Sequence, residues 1–143
     1  MARNFFTEGE QGRIVAAIAD AESHTSGEIR LHLENFCPGN EVHVASRIFT
    51  SLGMHKTRDR NGVLIYIATV SHKIAIVGDK GIHDKLGTSY WEKLVEGLIQ
   101  QFKARHKAEG LVDCIKELGK QLSAYFPRAH DDRDELTNEI SFK

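Results

Sequence analysis

Glu28, Asp59, Asn61 and Asp79 are oxygen donors of the kind a hard cation takes: three carboxylates and one side-chain amide. Gly62, Gly78 and Gly81 stand beside them, and residues without a Cβ allow backbone carbonyls to approach closely. Ca²⁺ accepts such mixed sets and tolerates irregular geometry better than Mg²⁺ does. The expectation is a Ca²⁺ site where Asp59, Asn61 and Asp79 converge, with Glu28 as a further ligand. Its affinity should be modest, on the order of 10⁻⁴ to 10⁻³ M, because few carboxylates sit on loops that binding must order.

Convergence follows from the elements that carry these residues. Residues 63–68 and 74–77 are short apolar runs rich in Val and Ile, which marks strands. The gap between them is too short for a helical crossover, so they form an antiparallel hairpin. The first run lacks polar alternation and reads as a strand buried on both faces, central to its sheet. Asn61-Gly62 opens the hairpin and Gly78-Asp79-Lys80-Gly81 closes it, so both polar segments lie at one end of the sheet. Residues 28–34 alternate Ile29, Leu31 and Leu33 with Glu28, Arg30, His32 and Glu34. That pattern predicts a strand with one wet face, nearer the sheet edge, on which His32 is solvated. A strand–helix–strand crossover then makes this strand parallel to residues 63–68 and brings Ser26, Gly27 and Glu28 to the same end.

The remaining chain supplies helices. Thr7 and Glu10 have capping-box spacing, and Ile14, Val15, Ala17, Ile18 and Ala21 recur on one face. Asn40 can cap a second helix with the stripe Val44, Ile48, Phe49 and Leu52, stopped at Gly53. Residues 54–60 form a basic loop around Asp59. Residues 81–88 read as irregular. A longer helix carries Trp91, Leu94, Val95, Leu98, Ile99 and Phe102, with Trp91 as a core anchor. A last helix carries Leu111, Cys114, Ile115, Leu118, Leu122 and Phe126 and ends before Pro127. The expected fold is α/β, a three-layer α/β/α sandwich around a small mixed sheet. It occupies residues 1–127, and residues 128–143 form an acidic flexible tail with little apolar surface to offset ordering entropy.

Bulk composition narrows the function. A net charge of −1 provides no global attraction to nucleic acid or anionic membrane. No apolar run is long enough to span a bilayer, and the first ten residues have no signal-peptide core, so a cytoplasmic setting is the expectation. Two cysteines, Cys37 and Cys114, do not make a disulfide framework, and Cys114 falls on an apolar helix face as a small hydrophobe. Phosphate-loop, nucleophile-elbow and His-Glu-x-x-His signatures are absent. Acidic residues 131–139 lack the glycine that an EF-hand loop needs. The opposite end of the sheet, with Glu34, Asn35 and His72, is where open α/β sheets favour ligands, but its oxygens are a poorer set.

Ser26-Gly27-Glu28-Ile29, Asn61-Gly62-Val63-Leu64-Ile65 and Ile76-Val77-Gly78-Asp79-Lys80-Gly81-Ile82, together with Gly110-Leu111, resemble the TPM domain family in order and spacing. The likeness runs over about residues 5–127 and is nearest to small soluble bacterial members with an acidic tail. The resemblance implies an α/β/α sandwich, bound calcium in some members and an acid phosphatase activity ascribed to the plant branch. Plant-like members tend to carry Asp-Arg in the hairpin turn, where this chain has Ser71-His72-Lys73. Three functional readings follow. The first is a divalent-cation-binding domain with a regulatory or scaffold-like role. The second is a metal-assisted phosphomonoesterase, whose cation would polarise a phosphoryl oxygen or activate water. The third is a protein-interaction module without metal, whose partner is not specified by the sequence.

Overall fold

The computed structural model describes residues 2–128 and 140–143. Its sheet is built from β1 (Glu28–Glu34), β2 (Gly62–Ala68), β3 (Lys73–Gly78) and β4 (Ser141–Phe142), in the order β3-β2-β1-β4. β1 and β2 are parallel, with Glu28 opposite Gly62, and β2 and β3 are an antiparallel hairpin, with Val63 opposite Gly78. Every residue of β2 is buried, as its unbroken apolar run requires. Helix α2 (Glu41–Ser51) covers one face, where Val44, Ala45 and Phe49 meet Leu64, Tyr66, Ala68 and Ala75. Helices α1 (Glu8–Glu22), α4 (Thr88–Lys103) and α5 (Lys107–Tyr125) cover the other, where Ile14, Ile18, Leu98, Leu111 and Leu118 meet Ile29, Leu31, Val63 and Ile65. The three-layer α/β/α sandwich around a mixed sheet is therefore the fold.

Local signals explain most of the element boundaries. The Thr7 hydroxyl accepts from the Glu10 amide at 3.1 Å, and Glu10 accepts in return from the Thr7 amide at 2.9 Å, closing the capping box of α1. Asn40 Oδ1 accepts from the amides of Val42 and His43 and opens α2. Trp91 is buried on α4, its indole N–H donating to His83 Nδ1 at 2.9 Å. Beneath it lies Gly78 of β3, where a Cβ would overlap the indole ring.

Three departures from the sequence reading have physical causes. Residues 81–88 are not irregular: α3 (Lys80–Leu86) starts from Asp79, whose carboxylate accepts from the Lys80 amide at 2.8 Å. The helix is too short to display an apolar stripe, and only Ile82 and Leu86 anchor it in the core. The polar face of β1 is not wet, since Glu28, His32 and Glu34 are all buried. Nor is β1 nearer an edge than β2, because β4 pairs with it in parallel, His32 opposite Ser141, and both strands are internal. The tail reading falls mostly on residues 129–139, outside the described residues. At the chain's described end, however, Ile140 and Phe142 pack against the main core, an apolar pair too brief to register as a strand in sequence.

Candidate functional site

The loops entering β1 and β2 and leaving β3 meet at one end of the sheet. The Asp79 amide donates to the Gly62 carbonyl at 2.9 Å, and the Glu28 amide to the Asn61 carbonyl at 3.4 Å, which locks the three segments together. Ser26 links two of the expected donors: its Oγ lies 3.0 Å from Asp59 Oδ2 and 3.0 Å from Asn61 Nδ2. Counting hydrogens fixes the directions. An ionised carboxylate only accepts, so the single Ser26 hydrogen goes to Asp59 and the Asn61 amide donates to Ser26. Asn61 Oδ1 is then left without a partner while its side chain is wholly buried. A buried acceptor in that state costs about 1–3 kcal/mol relative to a satisfied one.

Asp79 is differently placed. Arg60 grips it with two parallel hydrogen bonds, Nε to Oδ2 at 2.7 Å and Nη2 to Oδ1 at 2.8 Å, and Asp79 also caps α3. The hydrogen bond and the adjacent carboxylate raise the Arg60 pKa further. Arg60 achieves this from a left-handed backbone, φ 51°, between Asp59 and Asn61. A non-glycine residue is uncommon there and is held by the surrounding contacts. Arg58 lies 3.3 Å from Asp59 in an exposed pair. Glu28 is buried at the first position of β1.

The structure thus brings Asp59 and Asn61 together through Ser26, sets Asp79 beside them in the grip of Arg60, and puts Glu28 in the strand rather than the loop. Among the described residues, no three His, Cys, Asp or Glu side chains gather closely enough to hold a metal ion. A cation here would need amide, hydroxyl and backbone oxygens as well. Glycines also let neighbouring segments close on this loop. A Cβ on Gly81 would collide with the carbonyls of Asp59 and Arg60, and one on Gly27 would come within 2.8 Å of Leu122. They let α3 and α5 close on the loop. Sequence reasoning did not single out Ser26 or assign Arg60 a partner; the alternation Arg58-Asp59-Arg60-Asn61 was the available signal.

The opposite end of the sheet holds a buried polar network. Tyr66 donates to Glu34, and burial together with that carboxylate raises the phenol's pKa. His32 Nδ1 lies 2.8 Å from Ser141 Oγ, and its ring stacks on Tyr66 with 6.2 Å between centroids. Asn35 Oδ1 accepts from the Ala2 amide at 2.6 Å, and Ser71 Oγ accepts from the Cys37 amide at 2.9 Å. His72 is exposed at the hairpin turn. Apart from His72, which lines a cleft with Phe5, Ile74 and Phe102, these groups tie chain segments together.

The family model described as the TPM domain matches residues 2–121. The chain belongs to the TPM domain family. Its fold is similar to the NMR structure of BA42 protein from the psychrophilic bacterium Bizionia argentinensis, at 43% identity, 97% coverage of this chain, 96% of that one and a TM-score of 0.89. It is also similar to the solution NMR structure of the N-terminal domain of a P. gingivalis protein, covering 87% of this TPM domain chain and 82% of that chain. There the identity is 12% and the TM-score 0.71, so the likeness is one of fold. No curated protein matches the chain. Among the described residues of this TPM domain, no helix is long and apolar enough to cross a membrane.

Proposed function

We propose that this TPM domain binds a divalent cation, Ca²⁺, in the loops around Asp59 and Asn61, and serves a regulatory or scaffold-like role. The observation that carries this reading is Asn61 Oδ1, a buried amide oxygen with its lone pairs unclaimed beside a hydroxyl already bonded to a carboxylate. Asp59 and Asn61 would hold the ion with Ser26 and neighbouring carbonyls; Asp79 would join them only by releasing Arg60. A bound cation would give Asn61 Oδ1 the positive partner it otherwise lacks. Because Arg58 and Arg60 already neutralise much of the local negative charge, affinity is expected on the order of 10⁻⁴ to 10⁻³ M.

The test is a Ca²⁺ titration followed by backbone amide shifts, repeated with Asp59→Asn and with Ser26→Ala. Shifts centred on residues 26–28 and 59–62 that weaken in Asp59→Asn support the reading. Shifts confined to residues 34–40 and 69–72, or none at millimolar Ca²⁺, overturn it.

A further inference from the structure

Strand β3 is an edge strand, and its free edge opens into an apolar groove of about 550 Å³ between α2 and α4. The hairpin register decides which backbone groups face the groove. Asp79 donates to Gly62, so the residues of β3 that bond to β2 are those in phase with Asp79: Lys73, Ala75 and Val77. The N–H and C=O groups of Ile74, Ile76 and Gly78 point the other way, and among the described residues they have no partner. Unpaired edge groups are a template for another strand, and proteins commonly blunt them with charge, proline or a covering element. Here the only charged residue of β3 is Lys73, at its first position, where it pairs with Glu41 at 3.8 Å.

The walls fit an apolar strand. Val42 of α2 is 51% exposed on one side, and Trp91 and Val95 of α4 stand on the other. The rim fits a basic one. Glu92 and Glu96 are exposed, face the groove and have no ion-pair partner among the described residues. They lie one helical turn apart, a like-charge spacing that weakens a helix in isolation and is relieved by a cation. Two copies of this chain are the poorer fit. Ile76 is only 6% exposed, so the edge is reached through the groove, and α2 and α4 of each copy would keep two such edges apart.

We propose that this groove binds an extended, lysine- or arginine-bearing peptide segment of a partner protein, which adds to the sheet as a fifth strand along β3. Backbone hydrogen bonds to Ile74, Ile76 and Gly78 would supply affinity, and the apolar walls and acidic rim would select the side chains. This is independent of the cation reading, whose loops lie at the end of the sheet.

The probe is a synthetic peptide of alternating valine and lysine with blocked ends, added to the full chain and followed by amide hydrogen exchange and fluorescence of Trp91. Slowed exchange at Ile74, Ile76 and Gly78 is expected. Two controls leave the protein itself unchanged: the same peptide with glutamate for lysine, and one with N-methylated backbone amides, both expected to bind at least about tenfold more weakly. The double variant Glu92→Lys and Glu96→Lys, at exposed positions, should weaken the lysine peptide by roughly the same factor. Unchanged exchange at saturating peptide, or equal binding of the glutamate peptide, overturns the proposal. Protection of the same amides that grows with protein concentration alone, with dimer in sedimentation, overturns it in favour of a second copy.

Discussion

The guanidinium of Arg60 holds both carboxylate oxygens of Asp79, at 2.7 and 2.8 Å, so a cation and an arginine would compete for one carboxylate. Arg60 is half exposed at its side chain and free to leave, whereas Asp79 is fixed by its place at the start of α3. Replacing Arg60 by Gln removes the competing charge and keeps a polar side chain. If Asp79 belongs to the cation site, Arg60→Gln is expected to tighten Ca²⁺ binding by about tenfold, the size of a modest electrostatic term near a surface. Calorimetric titration measures this. Equal affinity in the two proteins would leave Asp79 as a helix cap and salt-bridge partner only.

Gly78 and Trp91 give a prediction about stability. The indole occupies the space a Cβ would take, and Ile82 Cγ2 would lie 3.1 Å from that Cβ. Gly78→Ala should cost about 1–3 kcal/mol, as overpacking in a close-packed core does. Combining it with Trp91→Leu should recover part of that cost, because the two residues share the contact. Urea unfolding of the single and double variants reads the coupling. Additive losses would show that the strand, and not the ring, resists the substitution.

The His32 network predicts a pH dependence. His32 Nδ1 lies 2.8 Å from Ser141 Oγ and Nε2 lies 3.7 Å from Glu34, so the ring ties β1 to β4. Burial lowers the His32 pKa, and the Glu34 carboxylate opposes this only in part; Lys143 and Arg30 lower it further. The folded state therefore disfavours the proton relative to the unfolded chain. The stability is complete above the ordinary histidine range, about pH 6.5, and falls as pH drops toward and through the lowered value. Urea midpoints at about pH 7.5 and 5.5 should show the decline, and His32→Gln should flatten it. The protection factor of the Lys143 amide, which donates to the Leu33 carbonyl at 3.2 Å, should fall at the lower pH if the loss begins at β4.

Hydrolysis of a generic phosphomonoester such as p-nitrophenyl phosphate is expected to stay at background. The serine–histidine–carboxylate contact that is present, Ser141–His32–Glu34, joins β4 to β1 with His32 and Glu34 buried, and so offers no open nucleophile. Ser71 Oγ is occupied by the Cys37 amide, and burial pushes the Cys114 thiol up to about 12, so it carries no useful thiolate at neutral pH. Turnover that disappears with chelator and with Asp79→Asn would establish the phosphomonoesterase reading instead.

The hairpin and the parallel crossover were legible because residues 63–68 are apolar without interruption and the connections on either side have diagnostic lengths. The polar alternation of β1 was legible too, but its meaning was not. A period of two reports which residues share a face; whether that face is wet depends on what covers it, and one covering piece is a two-residue strand more than a hundred positions away. α3 escaped notice because its start signal, Asp79, also reads as a turn residue and as a cation ligand. At the candidate site the residue types pointed to the right loops. The pairing within them was invisible, since Ser26 reaches Asp59 and Asn61 across 33 and 35 positions and Arg60 reaches Asp79 across 19.

The pairing of β4 with β1 has a bearing on biosynthesis. His32 emerges from the ribosome long before Ser141, its partner across 109 positions. At about 5–20 residues per second, one side of β1 waits roughly 5–20 s for its last neighbour while the rest of the sandwich is being made. A nascent chain in that interval presents a buried-type polar strand, Glu28 through Glu34, to whatever else is being translated nearby. Its charges are the feature that keeps such a waiting edge from sticking to other chains.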